Sequence, residues 1–178
     1  VMRRGGFVLV VGPSGAGKDT LLALARDALA GEARYVFPRR LVTRAPSAHE
    51  DNEAIDAAGF ARGEAEGRFA LSWRAHGLGY ALPAAAAAQA AAGHVVVCNV
   101  SRRVVGAARA HLPAVSVVAV TAPPEVLARR LAARGRPEDG DLAARLSRSA
   151  PVAADLTIVN DGPPEAAAAA LVAHLRAR

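Results

Sequence analysis

Apolar residues along this chain fall into short, nearly unbroken runs, separated by longer stretches where they recur every three or four positions. Residues 7–11, 95–100, 115–121 and 156–160 are runs of the first kind. A strand with one wet face alternates apolar and polar side chains. A strand covered on both faces shows no such alternation, so these runs predict buried strands. Residues 40–43 are a further strand candidate. Residues 20–30, 102–111, 124–134 and 163–177 have helical spacing, with Leu21, Leu22, Leu24 and Leu29 marking the first. The tract 84–92, alanine apart from Gln89, is a strong helix former. Pro123-Pro124 and Pro163-Pro164 suit the first turn of a helix, where a missing backbone N–H loses nothing. Strands alternating with helices in this way predict an α/β fold, with a central parallel sheet flanked by helices.

Two segments interrupt the alternation. Residues 44–83 are long, mixed in character and carry Phe69, Trp73 and Tyr80; residues 134–149 are rich in charge and contain Gly135, Pro137 and Gly140. Insertions of this kind lie outside the sheet and carry binding groups. The 178 residues are therefore expected to form a single domain, 1–178, with two appendages.

Composition then narrows the chemistry. Of 22 basic side chains 21 are arginine, alanine fills 45 positions, and Lys18 is the only lysine. Abundant Arg and Ala with almost no Lys is the mark of a GC-rich genome, so a lysine retained against that bias needs a reason. The net charge is +6 and the pI near 10.8. The arginines are scattered, in pairs such as Arg39-Arg40 and Arg129-Arg130, with no long basic run. That distribution points to small anionic ligands rather than to nucleic acid. Cys98 is alone, so no disulfide can form within the chain and a reducing compartment is expected. No stretch approaches the ~20 apolar residues of a membrane span. The apolar run 7–11, after Arg3 and Arg4, is short for a signal segment. A soluble cytoplasmic protein is the expectation.

The strongest chemical signal is Gly12-Pro13-Ser14-Gly15-Ala16-Gly17-Lys18, between a predicted strand and a predicted helix. This is the P-loop spacing. Glycines let the backbone curl so that successive N–H groups converge on a phosphate, and the following helix adds its positive end at the same point. Lys18 can reach the terminal phosphates as a compact charge on a flexible stem, a task that suits the planar guanidinium of arginine poorly. The motif expects Ser or Thr next; this chain has Asp19 and then Thr20. A carboxylate is a good hard ligand for Mg²⁺, directly or through water, which makes Asp19 the candidate metal residue. The alternative has Asp19 capping the helix and Thr20 facing the metal. Where a second acidic ligand would be sought, the chain reads Asn99-Val100-Ser101-Arg102.

From this loop through to Asn160-Asp161 the sequence resembles the guanylate kinase superfamily. Val42-Thr43-Arg44-Ala45-Pro46 with Glu50 resembles its acceptor-phosphate segment, and Phe69 through Tyr80 its acceptor flap. Leu131-Ala132-Ala133-Arg134-Gly135-Arg136, followed by Arg145-Leu146, resembles its arginine-bearing lid. Ser47 stands where guanylate kinases carry a second acceptor arginine, and Leu71-Ser72-Trp73 where they carry an acid that reads guanine. Without that carboxylate the hydrogen bonds that select guanine are lost. Gly17-Lys18-Asp19-Thr20, Leu71-Ser72-Trp73 with Ala75-His76-Gly77-Leu78, Asn99-Val100-Ser101-Arg102 and Arg134-Gly135-Arg136 are similar instead to the ribose 1,5-bisphosphate phosphokinases of bacterial phosphonate utilisation. Val100 departs from that family's usual glycine, and the lid reads as slightly lengthened.

The resemblance implies a three-layer P-loop kinase fold with an acceptor-binding insertion and a lid. It implies ATP and Mg²⁺ as cofactors, a phosphorylated sugar as partner, and no nucleic acid or membrane. The reaction it implies moves the ATP γ-phosphoryl group to the 1-phosphate of ribose 1,5-bisphosphate, giving 5-phosphoribosyl 1-diphosphate (PRPP). Catalysis is then expected from Lys18, Arg134, Arg136 and Arg145. ATP is expected at Gly12, Pro13, Ser14, Gly15, Ala16, Gly17, Lys18, Asp19, Thr20 and Asn160, with Asp19 at the metal. The acceptor is expected at Arg44, Glu50, Trp73, His76, Tyr80, Ser101 and Arg102. A structural role is the alternative for several of these: Trp73 and Tyr80 as core, His76 and Asn160 as turn residues. A phosphate acceptor is anionic at neutral pH, so it needs no general base; the obstacle is repulsion between two anions, met by positive charge and positioning. A nucleoside monophosphate kinase and a non-catalytic guanylate-kinase-like binding module are the competing readings.

Overall fold

The computed structural model describes residues 4–45, 52–134 and 153–178. The unbroken apolar runs become four strands of one parallel sheet, β1 (Gly6–Val11), β7 (Val95–Asn99), β8 (Val115–Thr121) and β9 (Leu156–Val159), and β2 (Tyr35–Val36), which no run marked, is the fifth. Their order is β2-β7-β1-β8-β9, and every neighbouring pair is parallel. Side chains alternate across a strand, and β1 shows why its run has no polar position. Phe7, Leu9 and Val11 enter one core cluster, and Val8 and Val10 the other.

Helices α1 (Lys18–Ala28), α5 (Pro124–Arg134) and α6 (Pro164–Arg176) cover the Val8 and Val10 face, through Leu21, Ala25, Leu127, Leu171 and Leu175. Helices α3 (Ala84–Ala91) and α4 (Val105–His111) cover the other, through Ala86, Ala90, Val105 and Ala108. The helix expected from residue 102 opens instead as a 3₁₀ turn, Arg102–Val104, where the Ser101 hydroxyl accepts from the Arg103 N–H at 3.3 Å. No helix among the described residues is long and apolar enough to cross a membrane.

The segment expected to be an acceptor insertion builds a second sheet. Strands β3 (Arg40–Val42), β4 (Asn52–Ala54), β5 (Phe69–Ala75) and β6 (Leu78–Pro83) lie in the order β4-β3-β6-β5, antiparallel except between β3 and β4. The strand expected at 40–43 belongs here rather than to the central sheet. Helix α2 (Ala57–Ala65) is capped by Asp56, whose carboxylate accepts from the Gly59 N–H at 2.6 Å. Strand alternation divides β5: Leu71 and Trp73 join the core shared with β1 and β7, while Ser72 and Arg74 donate to Glu64 of α2 at 2.9 and 2.6 Å. The two sheets therefore share one core.

Strand order reverses at β1, with β7 on one side and β8 on the other. Ligand sites of open α/β sheets form at such a switch point, outside the C-terminal ends of the strands, and the glycine-rich loop leaves β1 there.

A polar pair joins β8 to α6, with Ser116 buried and His174 half-buried. Ser116, 1% exposed, places its hydroxyl 2.8 Å from Nε2 of His174. Burial lowers the His174 pKa below 6.5, nearby Arg178 lowers it further, and Asp155 opposes them. The unfolded chain thus takes up this proton before the folded one does. The contribution to stability is full above about pH 6.5 and is lost as pH falls through the folded-state value. Melting temperature is expected to drop as pH falls below about 6.5, and His174→Gln to remove part of that slope. A variant slope equal to the parent's would exclude His174 as its source.

Candidate phosphotransfer site

The site is assembled along the C-terminal edge of the central sheet. After β1 the chain turns through residues 12–17 into α1. Gly12 has φ 152° and Gly17 φ 89°. A Cβ on Gly12 would run into the Val120 carbonyl, and one on Gly17 would come within 2.5 Å of Asn160 Nδ2. Glycine is required at both ends, for the sign of φ and for space. Gly17 caps α1 without a side chain, so the first N–H groups of the helix can turn to an anion. Lys18 folds back on the loop, Nζ donating to the carbonyls of Gly12 at 2.6 Å and Pro13 at 3.1 Å. Its ammonium is held at the mouth of the phosphate cradle.

Two residues brace the loop from behind. Arg130 on α5 donates to the Gly15 carbonyl at 3.0 Å and the Asn160 carbonyl at 2.7 Å. Asn160, just after β9 and 4% exposed, donates from Nδ2 to the Ala16 carbonyl at 2.8 Å. Its Oδ1 is buried with no hydrogen-bond partner among the described residues. Asn160 thus touches the loop expected to bind ATP. Arg130 was missed in the sequence, where Arg129-Arg130 is one pair among several and nothing local says which guanidinium turns inward.

Asp19 lies in the first turn of α1, exposed, as is Thr20. At the end of β7, Asn99 donates from Nδ2 to Asp19 Oδ1 at 2.8 Å. An amide therefore occupies the position where a second acidic ligand was sought, and it orients the acid that is present. One oriented carboxylate fits Mg²⁺, which takes one or two carboxylates together with phosphate oxygens and water. Among the described residues no group of three or more His, Cys, Asp or Glu side chains could cage a metal unaided.

On the second sheet Trp73 and Tyr80 stack, with ring centroids 5.5 Å apart and planes 4° from parallel. Both are buried, within the shared core. The Arg40 guanidinium lies over the Tyr80 ring at 5.3 Å. It also donates from Nε to Asn52 Oδ1 and from Nη1 to the Asn99 carbonyl, both at 3.3 Å. Burial lowers the Arg40 pKa, opposed by the charge of Asp19. Arg44, half-buried, follows β3. His76 and Gly77, at φ 54° and 74°, form the two-residue turn between β5 and β6, a pairing that fits a type I′ hairpin. Ser101 and Arg102 follow β7, and burial followed by the neighbouring Arg103 lowers the Arg102 pKa. Cys98, buried in β7, has its pKa pushed up to about 12 by burial, so it is an inert thiol. Glu50, Arg136 and Arg145 lie outside the described residues, as does the Arg134 side chain.

A kinase of the guanylate-kinase-like P-loop class is what this fold and this loop define. Among solved structures, the guanylate kinase of Anaplasma phagocytophilum superposes with a TM-score of 0.71 over 99% of this chain and 88% of its own, at 22% identity. A sugar kinase from a Janibacter species gives 0.56 over 96% and 94%, at 21% identity. At such identities the likeness is one of fold. No family model matches the chain. Curated relatives are far nearer in sequence. The ribose 1,5-bisphosphate phosphokinase PhnN of Methylobacterium radiotolerans is 72% identical over 173 residues, 97% of this chain and 98% of that protein. Its namesake in Rhodopseudomonas palustris is 51% identical over 172 residues, 97% and 89% of the two chains. The chain belongs to the ribose 1,5-bisphosphate phosphokinase family.

Proposed function

We infer that this protein transfers the γ-phosphoryl group of ATP to the 1-phosphate of ribose 1,5-bisphosphate, forming PRPP and ADP. The observation that carries this reading is the 72% identity to a ribose 1,5-bisphosphate phosphokinase along almost the whole of both chains. The residues present are compatible with it. An oxygen of the acceptor phosphate attacks the γ-phosphorus while the bond from that phosphorus to the ADP oxygen breaks, in line. The attacking oxygen is already ionised, so no base has to remove a proton.

The protein supplies positive charge and position. The loop N–H groups and Lys18 hold the donor phosphates. Bound Mg²⁺ would neutralise charge on those phosphates, and Asp19, oriented by Asn99, would hold it. Arg44 would take the acceptor's reacting phosphate, with Arg134, Arg136 and Arg145 bridging donor and acceptor from the lid. Glu50, His76, Ser101 and Arg102 complete the proposed acceptor site, with Trp73 and Tyr80 as its wall.

A coupled ADP-release assay tests the acceptor. The value of kcat/KM with ribose 1,5-bisphosphate is expected to exceed that with GMP or AMP by at least about 10²-fold, since the flap lacks groups to read a base. Turnover with a nucleotide alone would overturn the assignment in favour of a nucleoside monophosphate kinase.

A further inference from the structure

Arg40 has no role in the sequence reading, and its surroundings are unusual for an arginine. It opens β3 where the two sheets meet, half-buried, with its guanidinium over the Tyr80 ring. Asn52 Oδ1 and the Asn99 carbonyl fix Nε and Nη1. A guanidinium carries five N–H donors, so three are left over, and no carboxylate contacts them among the described residues. The nearby acid is Asp19, which accepts from Asn99 and whose charge offsets part of the burial of Arg40. A second cation, Arg44, lies within electrostatic reach and repels it. Burial still outweighs the attraction of Asp19, so a part-buried cation with three unengaged N–H groups beside a like charge is stabilised by an anion placed against them.

We propose that Arg40 binds the acceptor's second phosphate, the one that does not receive the γ-phosphoryl group, and so selects a sugar bisphosphate over a monophosphate. The proposal rests on the acceptor reading above, in which Arg44 takes the reacting phosphate. Arg40 and Arg44 are four positions apart along β3 and its continuation, at most about 13 Å between α-carbons. Long side chains converging from such a span can hold the two phosphates of one pentose. Leu71-Ser72-Trp73 of the flap carry no acid that would repel a phosphate at the far end of the acceptor. Tyr80 and the two fixed N–H groups set the guanidinium plane, which suits the bidentate grip that arginine makes on phosphate.

The test compares the parent enzyme with Arg40→Gln and Arg40→Lys, using ribose 1,5-bisphosphate and ribose 1-phosphate as alternative acceptors. Binding of ribose 5-phosphate is followed separately through the fluorescence of Trp73, the sole tryptophan, which stacks on Tyr80. The parent is expected to prefer the bisphosphate, and Arg40→Gln to shrink the ratio of the two kcat/KM values by about 10–100-fold. Ribose 5-phosphate should bind Arg40→Gln at least about tenfold more weakly. Arg40→Lys keeps the charge and an aliphatic stem over Tyr80, and should recover only part of the preference. An unchanged ratio, or unchanged ribose 5-phosphate affinity in both variants, overturns the proposal. Absence of parental turnover with either sugar, alongside Arg40-dependent binding of ribose 5-phosphate, would instead sink the acceptor reading and leave the phosphate site standing.

Discussion

Lys18→Ala is expected to lower kcat by at least about 10²–10³-fold while leaving the fold intact. In phosphoryl transfer, charge spreads over the equatorial oxygens of the moving group, and the protein's task is to meet that charge with fixed positive groups. Lys18 is the compact cation proposed for it, its ammonium donating to the Gly12 and Pro13 carbonyls of the loop. Those bonds are partly exposed, so losing them costs about 1 kcal/mol, a shift of roughly 2–4 °C in melting temperature for a protein this size. Lys18→Arg should fail to restore the rate, because a planar fork does not fit where one ammonium enters. Steady-state ADP release and thermal melting on the same samples separate the two effects. A parental rate in Lys18→Ala would remove this residue from the chemistry.

Asp19→Asn is expected to raise the Mg²⁺ concentration for half-maximal activity by about 10–100-fold, with excess Mg²⁺ restoring part of the rate. The carboxylate lies one position after the P-loop lysine, and Asn99 fixes one of its oxygens at 2.8 Å. Losing the charge weakens the metal directly. Asn99→Ala only releases the carboxylate to rotate, so its shift should be smaller. The competing geometry places Thr20 at the metal. A Mg²⁺ titration of Thr20→Val decides between them: a shift there, with none in Asp19→Asn, would move the metal from the carboxylate to the hydroxyl.

Much of the architecture was legible without coordinates, and for local reasons. The run at 7–11 is apolar at every position because both faces of β1 are covered. Pro124 opens α5 and Pro164 opens α6 where a missing N–H does no harm. The phosphate loop is contiguous, so spacing alone located it, and the single lysine among 22 basic side chains marked its end. The short strand β2 escaped notice, since two residues carry no periodicity. The second sheet was visible only as an interruption of the alternation, because register between β3, β5 and β6 is set by pairing and not by any one segment.

The sequence by itself determined four of the five strands of the central sheet, the phosphate loop and the kinase class, all signals confined to neighbouring residues. Tertiary structure decided which of the described arginines are enclosed and what they touch. Asp19 meets Asn99 across 80 positions, Arg130 meets Gly15 across 115, and Arg40 meets Asn99 across 59. No periodicity spans such distances. They come from the order of strands around β1, which brings separate C-terminal ends to one edge and gathers a few side chains beside the phosphate loop.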